Sequence, residues 1–251
     1  MNLSSIPALQ DNYIWFLSNE EQQCIIIDPG AAQPVIEYCH QQQWKPVAIL
    51  LTHHHADHTG GVRDLLDKYP ELPVYGPEET RDKSANRIVK PGDTLQLCGL
   101  TFAIIAAPGH TLGHILYYSK PYLFCGDTIF SAGCGRLLEG TAKQMNQSFI
   151  KINELPEDTL ICCAHEYTLK NIEFSHSLLP ENQFISDYYL KIKKLREKNQ
   201  SSQPTTLKTE RKINPFLMLH DTDLLDNLGI KAGTKADWEI FALLRRKKDH
   251  F

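Results

Sequence analysis

The chain has 251 residues, of which 42% are hydrophobic and 22% charged, and its formal net charge is -4. This composition excludes a collagen, a coiled coil and wholesale disorder, and it allows one large domain or one domain with a smaller second one. No apolar run approaches the roughly 20 residues that cross a bilayer, and the N-terminal segment lacks a basic stretch followed by an apolar one. We therefore expect a cytoplasmic protein with no membrane partner.

Short apolar runs rich in β-branched or aromatic residues recur through the first two thirds of the chain, and they predict strands. These runs lie at 13–17, 24–27, 47–51, 101–106, 115–118, 122–125 and 159–163. Helical patterns lie between some of them, at 34–43, 61–69 and 142–153, the second with Thr59 as its expected N-cap. The first part of the chain therefore predicts one α/β domain.

After His165 the strand signals stop and helical patterns follow, at 167–178, 182–198, 221–228 and 235–246. The segment 199–206, N-Q-S-S-Q-P-T-T, is interpreted as a polar connector. We therefore predict a domain over residues 1–168 and an α-helical domain over residues 169–251.

Charge is divided unevenly between these two parts. Residues 1–168 carry 11 Lys and Arg against 19 Asp and Glu, whereas residues 169–251 carry 15 against 11. A basic second part suits anionic ligands, while the acidic total argues against nucleic acid as a partner. No oligomerisation pattern is evident, so we expect a monomer. The seven cysteines contain no C-x-x-C pair, which argues against a disulfide framework and against a cysteine zinc site.

Four of the eleven histidines fall within six residues, in the segment T-H-H-H-A-D-H at 52–58, directly after the predicted strand 47–51. In an extended loop, residues two apart point the same way, so His53 and His55 can bind one ion. Asp57 and His58 are then directed elsewhere. One loop can thus supply ligands to two neighbouring metal sites.

Three further candidates follow the ends of other predicted strands, namely His110, Asp127 and His165. Ligands of open α/β sheets collect outside the carboxyl ends of the strands, so residues far apart in sequence can meet at one edge. We therefore predict two metal sites that share Asp127 as a bridge. The remaining ligands divide into His53, His55 and His110 for one ion and Asp57, His58 and His165 for the other.

The chemistry of these donors narrows the choice of metal and reaction. Imidazole and carboxylate ligands without thiolate suit zinc, iron or manganese, and a bridging carboxylate is typical of a two-metal hydrolase. The alternative is a set of polar loop residues without a ligand, which is the usual role of an isolated histidine. The clustering together with the three strand-end partners favours the metal sites.

The chain resembles the metallo-β-lactamase superfamily in four motifs: T-H-H-H-A-D-H at 52–58, P-G-H-T at 108–111, C-G-D at 125–127 and A-H-E-Y-T at 164–168. Five further segments resemble the bacterial hydroxyacylglutathione hydrolases, or glyoxalase II: I-P-A at 6–8, D-N-Y at 11–13, G-C-G-R at 133–136, E-G-T at 139–141 and K-K-D at 247–249. The resemblance covers almost the whole chain. It implies a four-layered αββα sandwich followed by an α-helical domain. It also implies two bound divalent metal ions, of which zinc is the first choice and iron or manganese the alternatives.

The resemblance also implies an activity and a set of binding residues. The activity is hydrolysis of an S-(2-hydroxyacyl)glutathione thioester, S-D-lactoylglutathione, to glutathione and D-lactate by a metal-bridging hydroxide, the second step of methylglyoxal detoxification. Asp57 would be a ligand that also orients the hydroxide. The residues implied for glutathione binding are Arg136, Tyr167, Arg245 and Lys248. Where several family members have an aromatic residue, this chain has Leu138.

Other interpretations remain open at this point. A persulfide dioxygenase of the same fold would use one iron held by His53, His110 and Asp127, but it lacks a comparable C-terminal helical domain. Other binuclear hydrolases of the superfamily share the metal motif without needing Arg245 and Lys248. A non-catalytic, metal-stabilised binding module is a third alternative. Without the resemblance, Arg245 and Lys248 are interpreted as a solvated basic helix end.

Overall fold

The computed structural model describes residues 1–251 and separates into two compact units. The first unit comprises Met1–Ala106 and Gly113–Gly126, and the second comprises Ala107–Leu112 and Asp127–Phe251. None of the helices combines the length and the hydropathy that a membrane span requires. The domain boundary expected after Thr168 stays a prediction.

The first unit opens with a six-stranded sheet in sequential order. Its strands are β1 (Asn2–Ala8), β2 (Asn12–Ser18), β3 (Gln23–Ile27), β4 (Lys45–Leu50), β5 (Val74–Gly76) and β6 (Arg87–Ile88). The β1–β2 and β2–β3 pairs are antiparallel, and the β3–β4, β4–β5 and β5–β6 pairs are parallel. Three α-helices and one 3₁₀ helix lie between these strands: α1 (Ala32–Gln42), α2 (Ala56–Thr59), α3 (Val62–Lys68) and the 3₁₀ helix Glu78–Lys83.

Four further strands of the first unit form an antiparallel ladder. They are β7 (Thr94–Leu97), β8 (Leu100–Ala106), β9 (Ile115–Ser119) and β10 (Tyr122–Gly126). Trp15 of β2 packs edge-on against Phe124 of β10, with ring centroids 6.4 Å apart. The buried Tyr117 hydroxyl of β9 donates to the backbone oxygen of Leu51, at 3.0 Å, so this ladder stacks on one face of the first sheet.

Helices α1 and α3 cover the other face of the first sheet. Alternate strand residues such as Ile14, Phe16 and Ile26 join Val35 of α1 and Leu65 of α3 in one buried cluster. Side chains two apart on a strand point to the same face, so every second residue reaches the helices. Strand β2 is buried along its whole length, which explains why its central residues, 13–17, form a continuous apolar run rather than an alternating pattern.

The second unit is mostly helical. It contains a short hairpin, β11 (Ile129–Phe130) and β12 (Gly133–Cys134), then α4 (Ala142–Asn153), β13 (Leu160–Cys163), α5 (Thr168–Leu178), α6 (Gln183–Glu197), β14 (Thr205–Thr206), α7 (Leu207–Ile213), α8 (Thr222–Asn227) and α9 (Asp237–Asp249). Side chains of Thr141, Asn182, Thr206 and Asp221 accept backbone N–H groups at the starts of α4, α6, α7 and α8. Such caps satisfy backbone donors that a helix start leaves without an intrahelical partner.

Each predicted strand and helix has a counterpart in the structure, with ends shifted by a few residues. Thr59 was wrong as an N-cap: its hydroxyl donates to the His55 oxygen at 3.0 Å, and α3 begins after Gly61 without a side-chain cap. The prediction that residues 199–206 form an irregular connector was also wrong for the last two residues. Thr205 and Thr206 form β14, which pairs antiparallel with β13. Because that partner lies some forty residues away in sequence, no local pattern reveals the pairing.

Candidate active site

The histidine loop follows the end of β4 at Leu50 and runs into α2. His53 Nε2 and His55 Nδ1 lie 3.1 Å apart. The other ring nitrogen of His53, Nδ1, lies 3.0 Å from the Thr52 hydroxyl oxygen. The structure therefore directs Nε2 of buried His53 and Nδ1 of half-buried His55 toward a common point, as the two-residue spacing predicts.

Asp57 and His58 lie together on α2, and both are held from outside the helix. His58 Nε2 is 3.4 Å from Asp57 Oδ2, and His58 Nδ1 is 3.0 Å from Asp28 Oδ2. Asp28 also accepts the backbone N–H and the hydroxyl of Thr52 at 2.8 and 2.7 Å. The Asn12 amide donates to Asp57 Oδ2 at 3.0 Å. Both side chains are thus oriented before any ligand binds.

Asp28 and Asn12 are residues that the sequence analysis missed. A signal existed for Asp28, because it directly follows the predicted strand 24–27, as the three strand-end candidates follow theirs. Asn12 lies in the D-N-Y segment at 11–13 that carries the family resemblance, but nothing local indicates its contact with Asp57, which is 45 residues away. A partner that fixes one nitrogen of a histidine orients the other nitrogen and raises its basicity as a ligand.

The second unit brings His110, Asp127 and His165 together. All three are buried. Asp127 Oδ2 lies 3.4 Å from His110 Nε2, and Asp127 Oδ1 lies 3.3 Å from His165 Nε2. His110 Nδ1 lies 2.8 Å from the Arg136 backbone oxygen. Each carboxylate oxygen of Asp127 therefore faces a different imidazole, which is the arrangement that a bridging carboxylate requires.

These separations test whether the donors fit a metal ion. Two ligand atoms about 2.0 to 2.1 Å from one tetrahedral ion lie about 3.3 Å from each other. The four neighbouring donor pairs are separated by 3.1, 3.4, 3.4 and 3.3 Å. In His53, His58 and His110 the Nδ1 atom lies against a protein oxygen, so Nε2 is the nitrogen directed at the neighbouring donor. The donors therefore fit divalent ions.

The backbone comes close to the aspartates at two glycines. A Cβ atom at Gly30 would collide with the Asp57 backbone oxygen, and one at Gly135 would collide with the Asp127 backbone oxygen. Only glycine permits these approaches. This explains the glycine in D-P-G at 28–30 and the second glycine in G-C-G-R at 133–136.

Two of the residues implied for glutathione binding lie on α9. Arg245 is buried, and its guanidinium donates to the Cys134 backbone oxygen at 2.8 Å and to Asp249 Oδ1 at 3.1 Å. Lys248 donates to the Lys170 backbone oxygen at 2.8 Å. Burial lowers the pKa of Lys248 to about 8, and the positive charges of Arg245 and Lys170 add to this effect.

The other two implied residues flank the second group of donors. The Tyr167 ring stacks on His165, with centroids 4.7 Å apart and an interplanar angle of 5°, and it meets Phe130 edge-on. The Arg136 residue is exposed, and the contact given above between Arg136 and His110 involves only the Arg136 backbone oxygen. Leu138 is 59% exposed, so its side chain contributes little to the protein interior. The binding roles of Arg136, Tyr167, Arg245 and Lys248 stay predictions.

Comparison with known proteins covers almost the entire chain. Residues 9–165 match the model of the metallo-β-lactamase superfamily, and residues 166–251 match the model of the hydroxyacylglutathione hydrolase C-terminus. The chain is 59% identical to the hydroxyacylglutathione hydrolase of Erwinia tasmaniensis and 58% identical to that of Klebsiella pneumoniae, in each case over 100% of both chains. The chain belongs to the hydroxyacylglutathione hydrolase family.

A solved structure confirms the fold of this hydroxyacylglutathione hydrolase family member. The crystal structure of the BLEG-1 B3 metallo-β-lactamase matches with a TM-score of 0.68 and 25% identity, covering 86% of this chain and 99% of that one. The predicted metallo-β-lactamase fold with a helical C-terminal region is therefore confirmed. The fold and the His and Asp groups together identify divalent metal ions as cofactors.

Proposed function

We propose that the protein hydrolyses the thioester of S-(2-hydroxyacyl)glutathione, with S-D-lactoylglutathione as substrate, to glutathione and D-lactate. The observation that carries this proposal is the 59% identity, over the whole length of both chains, to a relative named hydroxyacylglutathione hydrolase. The reaction would be the second step of methylglyoxal degradation. A persulfide dioxygenase is not favoured, because residues 166–251 match the C-terminus of the hydrolase family.

We infer that the protein binds two divalent metal ions. Zinc is the preferred identity of these ions, and iron and manganese are the alternatives. The proposed ligand sets are His53, His55 and His110 for one ion, Asp57, His58 and His165 for the other, and Asp127 for both. Separations of 3.1 to 3.4 Å between neighbouring donors support this assignment. When bound, such ions lower the pKa of water and polarise a carbonyl oxygen.

Side chains of this protein have two tasks in the proposed reaction. Asp57, held by Asn12 at 3.0 Å, orients the attacking water through its carboxylate. Asp28 keeps the His58 ring in place, since its carboxylate lies 3.0 Å from Nδ1. The leaving group is a thiolate whose conjugate acid has a pKa of about 8.5, so departure requires no acid catalyst. The proposed reaction therefore uses neither a Ser-His-Asp triad nor a Cys-His pair.

Substrate recognition is assigned to the four implied residues. Glutathione carries two carboxylates and one ammonium, so cationic side chains are required to bind it. Arg245 is partly neutralised by Asp249, with Nη2 to Oδ1 at 2.9 Å, so of the two implied residues on α9 we expect Lys248 to attract a substrate carboxylate more strongly. Tyr167, whose ring stacks on His165 and is 37% exposed, would offer its hydroxyl to the substrate, and Arg136 would add an exposed guanidinium.

The decisive experiment compares two substrates on purified, metal-loaded protein. The first is S-D-lactoylglutathione, and the second is a lactoyl thioester of a small thiol without the glutathione peptide. A strong preference for the first supports both the hydrolysis and the glutathione-binding role. Hydrolysis of neither, with metal content verified by elemental analysis, contradicts the proposal. The same elemental analysis, made on protein purified without added metal, identifies the ion.

Two properties of the protein stay predictions. We expect a monomer, which light scattering coupled to gel filtration measures directly. We also expect a cytoplasmic location, which cell fractionation tests.

A further inference from the structure

The hairpin formed by β11 and β12 contains a tight turn, residues 130–133, in which Phe130 pairs with Gly133. We call these four residues the hairpin turn. Asp127 lies three residues before it, and Arg136 lies three residues after it. Ala132 within the turn has φ of 57°, a left-handed conformation that costs energy in a residue other than glycine. The turn therefore needs contacts that hold it.

Two side chains from the segment around α7 hold the backbone of the hairpin turn. Glu210 Oε2 accepts the Ala132 N–H at 2.8 Å. Asn214 donates through Nδ2 to the backbone oxygens of Phe130 and Gly133, at 3.2 and 3.0 Å. Asn214 also donates to Glu210 Oε2 at 3.1 Å, which joins the two side chains into one clamp.

Helix α5 completes this clamp from another direction. Asn171 donates to the Ser131 backbone oxygen at 3.1 Å, and the Ser175 hydroxyl donates to the Ala132 backbone oxygen at 3.3 Å. The four backbone oxygens of the hairpin turn are therefore all engaged by side chains from residues 171–214. Five hydrogen bonds to one four-residue turn exceed what its own two-residue pairing could supply.

Burying the Glu210 side chain costs more free energy than burying the other side chains of the clamp, because it is the only carboxyl group among them. That side chain is fully buried, with an exposed fraction of 0%, and the proposed mechanism does not use it. A carboxylate without water is stable only when hydrogen-bond donors replace its hydration. Thr205 supplies one such donor, since its hydroxyl donates to Oε1 at 2.6 Å, and the Ala132 N–H and the Asn214 amide supply two more.

The hairpin turn connects the clamp to the proposed site on both sides. Asp127 is the proposed bridging ligand, and the Arg136 backbone oxygen lies 2.8 Å from Nδ1 of the ligand His110. The Cys134 backbone oxygen, directly after the turn, accepts from Arg245. Functional groups must be held within about 0.5 Å of their productive positions. If the hairpin turn relaxed toward an unstrained conformation, it would therefore displace Asp127 and the backbone oxygens of Cys134 and Arg136.

We propose that Glu210 is a positioning residue, which clamps the hairpin turn through the Ala132 N–H and thereby sets the positions of Asp127 and the His110 ring. This inference rests on the proposed function, because it concerns the same ligands. It assigns the helical segment of residues 171–214 a task besides substrate binding. That task is to keep the Asp127 carboxylate in place between the imidazoles of His110 and His165.

The test uses the full-length protein and two substitutions at one position. Glu210→Leu removes both oxygens and leaves the Ala132 N–H without its acceptor. Glu210→Gln keeps the size and one oxygen for Ala132 and Asn214, while its amide can donate to the Thr205 hydroxyl. Leu224→Ala, a buried truncation in α8 far from the turn in sequence, is the control for a general loss of stability. Urea unfolding shows whether each variant is folded at the assay temperature.

The first readout is binding of Co²⁺ to the metal-free protein, followed by its visible absorption, which reports the ligand geometry. We expect Glu210→Leu to raise the Co²⁺ dissociation constant at least tenfold, to change the spectrum and to lower kcat at saturating metal at least tenfold. Glu210→Gln is expected to stay within about threefold of the wild type. Leu224→Ala is expected to show the wild-type spectrum and affinity.

Wild-type Co²⁺ binding and kcat in folded Glu210→Leu would overturn the inference, and so would equal losses in Glu210→Leu and Leu224→Ala. If Glu210→Leu does not fold, Asn171→Ala replaces it, because it removes one neutral hydrogen bond to the turn. We then expect at least threefold weaker Co²⁺ binding, and unchanged binding overturns the inference. A wild-type protein that binds Co²⁺ without hydrolysing the thioester refutes the proposed function instead, while the binding comparison still tests Glu210.

Discussion

Lys248 gives the proposed substrate site a pH dependence of its own. Its pKa is lowered to about 8 by burial and by the neighbouring charges of Arg245 and Lys170. The ammonium therefore loses its proton as the pH rises through about 8, and below that pH it is positively charged. Since only the charged form attracts a substrate carboxylate, KM for the glutathione thioester should rise as the pH rises.

The size of this effect follows from the charged fraction. With a pKa of about 8, roughly nine tenths of the molecules carry the charge at pH 7 and roughly one tenth at pH 9. We therefore expect KM to increase by up to about tenfold between these two pH values. Lys248→Met removes the charge at every pH, and a charge-assisted hydrogen bond contributes about 1.5 to 3 kcal/mol, so KM at pH 7 should rise about tenfold or more.

The assay measures KM and kcat for S-D-lactoylglutathione from pH 6.5 to 9.5 in the wild type, Lys248→Met and Lys248→Arg. Arginine stays charged throughout this range, so its KM should follow only the titration of the substrate. The difference between the wild type and Lys248→Arg isolates the lysine. A rise in KM of the same size in Lys248→Arg refutes the reasoning, and so does a KM in Lys248→Met equal to that of the wild type at pH 7.

Four further outcomes are expected. Asp127→Ala should lose bound metal and activity together, and unchanged metal content by elemental analysis would count against the bridging role. Asp28→Ala should weaken metal binding by about 10- to 100-fold in a chelator competition, because the His58 ring loses its partner. Leu138→Tyr should lower KM for the glutathione thioester by about two- to tenfold if it restores one hydrogen bond, with no change for a small-thiol ester. Phe241→Ala, whose ring lies 5.1 and 4.9 Å from those of Phe149 and Phe216, should reduce the free energy of unfolding by about 3 to 5 kcal/mol in urea, and a smaller loss would mean that the cluster repacks.

The candidate metal ligands could be recognised because their signals are local. His53 and His55 are two residues apart in one loop, and His110, Asp127 and His165 each follow an apolar run that forms a strand. An apolar run shows where a strand ends, and strand ends are where side chains can collect. The structure bears out this proximity within the second unit, where Asp127 lies 3.4 and 3.3 Å from the two imidazoles.

The parts that escaped prediction depend on residues distant in sequence. Strand β14 is only two residues long, and it is a strand because it pairs with β13. Strand β1 has a mixed sequence, N-L-S-S-I-P-A, without a continuous apolar run, and its extended form is supported by its pairing with β2. Neither segment has the apolar periodicity by which strands are predicted.

The sequence by itself determined the family, the strand and helix pattern of the core, and the seven candidate ligands, since each rests on residue types at short spacings. Only the tertiary structure decided which groups hold those ligands. Asp28 reaches His58 across 30 residues, Asn12 reaches Asp57 across 45, and Glu210 reaches Ala132 across 78. A hydrogen bond between distant residues leaves no periodicity in either segment, and it exists only because folding brings a buried donor and acceptor together where water cannot replace either.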